Sequence, residues 1–480
     1  MSQVTETAGV HGEEQTELKR AIGPKLLLLF IVGDILGTGV YALTGQVAGE
    51  VGGAAWAPFI VAFAIALVTA FSYLELVTKY PKAAGAALYT HKAFGIHFLT
   101  FMVAFTVMCS GITSASTASR AFASNFASGF GMDSDNANLV LGIALCFMLL
   151  VAAINFRGVG ESVKANIVLT AVELSGLLLV ILVGFYAAFA GKTDFSRTMI
   201  FESPSDKGAF LAVTAATSLA FFAMVGFEDA VNMAEETHDP VRNFPRMMLT
   251  GIGITGVIYV LVALFAVAVV PVGVLAESET PLLLVVETAA PDVPIETIFP
   301  FISMFAVANS ALINMLMASR LIYGMARQEV LPPFLGKVHP GRQTPWVAII
   351  FTTLLSLGLI WVVTKNAKGE VVSALGGTTA LLLLAVFAIV NIAVLVLRKD
   401  VLDREHFRTP TFLPYIGALA CLFFVTPLTG RDTIQYKIAG ALLLIGVVLW
   451  AITWMSNRAL RSKKTYMRDP ELLAGDETVN

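Results

Sequence analysis

The run Ile31-Val-Gly-Asp-Ile-Leu-Gly-Thr-Gly-Val-Tyr41 decides the fold. It lies in the middle of an apolar stretch over 24–50, long enough to cross a hydrocarbon core of about 30 Å. Gly37 and Gly39 flank Thr38 at the depth where lipid satisfies no backbone N–H or C=O, and an unsatisfied group there costs several kcal/mol. A helix broken at that depth is tolerated where the break lines a cavity or binds something. Small residues at this spacing also serve close packing between membrane helices. The glycines alone leave both readings open.

A second run has the same character. Phe221-Phe-Ala-Met-Val-Gly-Phe-Glu-Asp-Ala230 carries Gly226 and Glu228 at mid-span, and its exit is punctuated by Asp239-Pro240 and Phe244-Pro245. The two runs open two five-span halves, and interrupted segments in corresponding positions of two halves point to a transport site. The chemistry suits a zwitterion. Free N–H groups opening the second part of span 1 attract a carboxylate, and carbonyls freed in span 6 accept from an ammonium.

Composition sets the class. Of 480 residues, 57% are hydrophobic and 14% charged, against roughly 25% charged in soluble domains, and mean hydropathy is +0.79. Twelve spans are expected, near 24–50, 55–79, 97–126, 138–155, 162–190, 209–236, 246–270, 297–327, 345–363, 372–397, 412–428 and 437–455. The fold class is an all-α polytopic membrane protein. Its parts are a tail over 1–23, halves over 24–190 and 209–397, a final pair of spans within 412–455, and a tail over 456–480. With the N-terminus in the cytoplasm, 23 of the 31 Lys and Arg residues fall on the cytoplasmic side. This bias puts both termini there and favours an even number of spans. The first 20 residues are polar and carry no removable signal. Cys109, Cys146 and Cys421 lie far apart in apolar segments and suggest neither a disulfide framework nor a metal site.

Other classes find little support. The six histidines fall at loops or span ends, and no HExxH, GxSxG or Walker-type loop is present. No catalytic residue, metal or cofactor is assigned. A repeated selectivity filter of the kind a channel needs is not apparent. The basic cluster after Arg458 suits an anchor on the inner leaflet rather than nucleic acid.

Four elements in order resemble the amino acid–polyamine–organocation (APC) superfamily over nearly the whole chain. They are Gly37-Thr-Gly-Val-Tyr41, Tyr80-Pro-Lys-Ala-Ala-Gly-Ala-Ala-Leu-Tyr89, Gly226-Phe-Glu228 with Ala234-Glu-Glu236, and Arg320-Leu-Ile-Tyr-Gly-Met-Ala-Arg327 followed by Thr344-Pro345. The Gly-Val-Tyr and Glu-Glu elements look most like the cationic amino acid transporter branch and its bacterial relatives. The resemblance implies a leucine-transporter-type fold, two inverted five-helix repeats plus two helices, working by alternating access. It also implies that Gly37, Thr38 and Gly39 hold a substrate carboxylate. The backbone of Phe222, Ala223 and Val225, beside the Gly226 break, would receive the amino group. Phe222 matches an aromatic that closes over substrate from outside, although a core aromatic fits the same position.

Ionisable groups within spans are functional candidates by default. Asp34 precedes the span-1 break by one turn. Glu75, near the cytoplasmic end of span 2, is expected to be solvated or to snorkel. Glu228 is expected to shape the broken helix, capping freed N–H groups. Glu173 stands twelve residues after the Glu161-Ser162 pair, where many similar transporters carry a lysine in place of sodium. A carboxyl group taken out of water holds a proton more readily, so Glu173, with Asp34, is expected to carry a coupled proton rather than sodium. Direct binding of sodium or of a basic substrate's ammonium, or a hydrated vestibule, are the alternatives. The polar stretch Ser110–Ser119 and the residues Asn309, Ser310 and Asn314 either line the cavity or glue helices together.

The function expected is proton-coupled uptake of an amino acid, basic ones favoured, in the plasma membrane. The alternatives are a carrier or exchanger of neutral amino acids or of amines such as GABA and polyamines, and a non-transporting nutrient sensor. The partners are therefore an amino acid or amine, the lipid bilayer and a proton.

Overall fold

The computed structural model describes residues 22–82, 85–134, 136–157, 162–203, 208–234, 236–292, 294–342, 344–366, 370–400 and 405–460. Both distal tails, Glu161 and Glu235 lie outside the described residues, as do the side chains at 162–167. The first half contains α1 (Pro24–Ile35), α2 (Thr38–Val51), α3 (Trp56–Lys79), α4 (Gly85–Phe94), α5 (His97–Gly129), α6 (Ala137–Arg157) and α7 (Ser162–Phe189). Next come α8 (Ala209–Ala223), α9 (Pro240–Val269), α10 (Val272–Glu277), α11 (Pro281–Ala289), α12 (Ile295–Arg327), α13 (Trp346–Asn366) and α14 (Val371–Leu397). The last two are α15 (Phe412–Val425) and α16 (Thr433–Leu460). Among the described residues, ten segments are long and apolar enough to cross a membrane, and α8 and α15 are shorter apolar helices.

Contacts between connecting segments fall into two sets. On one face Ile22 bridges Thr237, Thr344 donates to the Phe156 carbonyl, Asn457 donates to that of Glu329, and Tyr80 bonds Asp400. On the other, Gly52 bridges Phe201, Arg120 pairs with Glu279, Lys365 donates to Asn138, and Thr214 donates to the Thr429 carbonyl. The two faces follow from the alternating direction of successive helices along the chain, and none of these contacts joins one face to the other.

Span 6, expected over 209–236 with a break around Gly226, is α-helical to Ala223 and continues through turns into a short 3-10 stretch, Asp229–Met233. Two other expectations need correction. The next helix was expected from 246 but begins at Pro240. Pro at the first helical position needs no N–H partner, and Pro245 still lies in the early turns of α9. Second, Glu75 is neither solvated nor snorkelling. It is 2% exposed, and both its oxygens take the Arg398 guanidinium at 2.9 and 2.8 Å. The Thr409 N–H adds a bond to Glu75 at 2.9 Å, and the Thr409 carbonyl receives Arg398 at 2.7 Å. The pair ties α3 to the α14–α15 link. Removing one partner of a buried ion pair costs about 3–5 kcal/mol. Glu75→Ala and Arg398→Ala should therefore each lower the melting temperature of the purified protein sharply, and the double variant should lose much less than the sum.

Polar side chains at membrane depth staple the helices together. Thr113 bonds Thr379 of α14 at 2.7 Å, and Ser116 bonds Ser356 of α13 at 2.7 Å. Ser72 and Thr69 of α3 both reach Asn391 of α14. Within the polar run of α5, Thr113 and Ser116 thus act as glue.

Candidate functional site

The two broken segments cross. Between α1 and α2 the chain leaves helical geometry at Leu36 and Gly37 (φ −57°, ψ −149° at Gly37). Thr38 and Gly39 then open α2, so the first turn of a new helix directs its unbonded N–H groups into the centre of the protein. A methyl group added at Gly39 would stand 2.8 Å from both the nitrogen and the Cβ of Ala223, the last residue of α8. Only a residue without a side chain lets the two backbones approach this closely.

The second break is built on Gly226, whose φ of +125° is open to few other residues. The Gly226 N–H donates to the Glu228 carboxylate at 2.9 Å. Glu228 thus caps a freed donor, as its position in the motif led us to expect. Gly226 also lies against the Asp34 carbonyl and the Ile35 nitrogen. Among the described residues, no backbone N–H reaches the carbonyls of Ala223 or Val225. Each break therefore offers what the other lacks: donors at Thr38 and Gly39, acceptors at Ala223 and Val225. Phe222 is 5% exposed and packs against Gly376 of α14.

Further residues support the crossing. The Tyr259 hydroxyl of α9 donates to the Ile35 carbonyl, which the break deprives of its helical partner. Tyr41 donates to the main-chain carbonyl of Glu173 at 2.7 Å and so ties α2 to α7. Ser310 of α12 faces Gly37.

Carboxylates surround the crossing. Glu173 is completely buried, with the Asn309 amide beside it and both oxygens closed off from solvent. Asp34 lies close enough to Asp229, Glu228 and Glu173 to feel the charge of all three. None of the four pairs with a Lys or Arg among the described residues. The structure thus brings together Asp34, Gly37, Thr38, Gly39, Glu173, Phe222, Ala223, Val225, Gly226 and Glu228. Sequence reasoning missed Asp229, although it adjoins Glu228 in the same run. It also missed Tyr41 and Tyr259, whose partners are distant in the chain.

Two interrupted apolar helices crossing at a buried polar centre are the arrangement expected of a membrane transporter. The model of the family described as amino acid permease matches residues 22–451, and the chain belongs to that family, within the APC superfamily. It is similar to the branched-chain amino acid permease BcaP of Bacillus subtilis, 27% identical across 92% of this chain and 94% of that protein. The methylthioribose transporter of the same organism is 29% identical, covering 88% and 91%. Cationic amino acid transporter 7 of Arabidopsis thaliana is 26% identical, covering 68% and 58%.

Proposed function

We propose that this protein is a secondary active amino acid permease of the cell membrane that works by alternating access and couples uptake to protons. The carrying observation is the crossing itself, which sets helix-start N–H groups beside unbonded carbonyls within one buried site. That pairing suits an α-carboxylate and an α-ammonium held together. Twelve crossings in two inverted five-helix repeats plus two helices account for the two broken segments. The Lys and Arg bias supports an orientation with both termini in the cytoplasm.

Four carboxylates without a cation are costly in a membrane interior unless protonated or paired, which supports a proton or a basic substrate as their partner. Glu173, enclosed and unpaired, is the proposed proton carrier, with Asp34 beside it, and Glu228 couples the proton to the span-6 break. The same excess of negative charge favours basic side chains, as in the cationic transporters to which the chain is similar. A second reading, branched-chain amino acids, draws on the likeness to BcaP and on the apolar Val225 and Phe222 at the break.

Uptake into proteoliposomes distinguishes these readings. A radiolabelled panel of arginine, lysine, leucine, GABA and putrescine would be tested with and without an inward proton gradient. Accumulation of arginine or lysine only with the gradient is expected. Uptake confined to vesicles preloaded with amino acid would mean exchange and remove proton coupling. Binding without movement would make the protein a sensor.

A further inference from the structure

Arg120 of α5 is 3% exposed, yet of its guanidinium only Nη2 is engaged, with Glu279 at 3.3 Å. Nε and Nη1 are buried and make no hydrogen bond. Five N–H donors in a fixed fork match a carboxylate in two-point contact, and here most of the fork is unused. Glu279 also accepts from Ser124, one turn along the same helix, at 3.2 Å. It sits in the link between α10 and α11, and α10 lies over α2, with the Leu275 carbonyl against Gly45. Beside the pair is a cavity of about 440 Å³, open to solvent and lined in part by Ser128, Ser278, Thr280 and Thr297.

The depth of Arg120 follows from helix packing. α5 and α12 run antiparallel, with Gly111 against Asn314 and Gly129 against Pro300. Ser310, which faces the span-1 break, is therefore level with about residue 116 of α5. Arg120 stands about one turn further on, roughly 6 Å at the helical rise. It lies between the break and the cavity, on the face opposite Ile22.

We propose that Arg120 is the outer-gate residue of the permease. Its guanidinium is held by Glu279 while the outer path is closed, and by the carboxylate of the incoming substrate once α10 and α11 lift. This rests on the permease reading above, with the termini inside. Selection for a carboxylate then begins at Arg120, before the substrate reaches Thr38.

The test uses Thr44→Cys as a reporter, since Thr44 is buried on α2 beneath this lid, with Cys146, the exposed native cysteine, changed to Ser. Labelling by a membrane-impermeant maleimide is followed in intact cells. Glu279→Gln should raise the labelling rate about tenfold without any substrate. In that variant arginine and leucine should protect the reporter, and their decarboxylated counterparts agmatine and isoamylamine should not. Arg120→Gln should abolish the distinction and Arg120→Lys should retain part of it. An unchanged labelling rate in Glu279→Gln overturns the proposal, and so does an intact preference for the amino acids in Arg120→Gln. The labelling rate needs no transported substrate, so a failure of the permease reading would appear in the uptake panel and leave this result standing.

Discussion

Glu173→Gln is expected to bind substrate and exchange it across the membrane but to lose accumulation driven by a proton gradient. Gln has nearly the shape of a protonated Glu and keeps a donor toward Asn309, so α7 should pack as before. What it lacks is the ability to release and rebind a proton during the cycle. A step that must take up charge once per turnover then runs without its driving gradient. Concentrative uptake should fall by roughly tenfold or more, about 1.4 kcal/mol per decade, while counterflow stays near the native rate. Flux measured in the same proteoliposomes with and without the gradient separates these outcomes. Persistent gradient-driven accumulation would take Glu173 out of coupling and leave Asp34 and the Glu228–Asp229 pair as carriers.

Gly39→Val should bring uptake to background for every substrate. Any side chain there enters the space of the Ala223 backbone. Overpacking a well-filled interior costs about 1–3 kcal/mol, and neither helix can withdraw without opening the site. The protein should still insert, because the apolar length of the span is unchanged. Gly142→Ala is the control, since nothing stands within 4 Å of a methyl group there. Substrate binding and the elution profile of the detergent-solubilised protein check the result. Transport retained in Gly39→Val would mean that the two breaks separate during the cycle.

The breaks were legible because Gly37 and Gly39 in span 1 and Gly226 in span 6 stand at corresponding positions of two halves, a pairing that helix packing alone does not call for. The lengths of the remaining long helices followed from hydropathy. Three helices escaped notice for a physical reason. α4, α10 and α11 are 10, 6 and 9 residues long, too short to register as spans, and they lie where only connecting segments were expected. Pro245 was misread because a proline in the opening turns of a helix looks, in sequence alone, like a boundary. The status of Glu75 could not be read at all. Its partner Arg398 is 323 residues away, and a carboxylate near a span end suggests solvent until that partner is known. The same holds for Tyr259, whose hydroxyl serves a carbonyl 224 residues distant. Asp229 is different, since the signal was present and was absorbed into its neighbour's role.

The interlock of the broken segments bears on leakage. Gly39 is wedged on Ala223, Gly226 on Asp34, and Ile22 is bridged to Thr237, so the two segments are joined at three heights. Half-helices that swung separately would let an ion slip past on one while the other stayed with the substrate. In the proposed mechanism, segments joined in this way would move together, and whatever is bound at either break would cross in the same stroke. The ratio of ion to substrate is then fixed by geometry rather than by the relative speeds of two gates, and an empty site should conduct almost nothing.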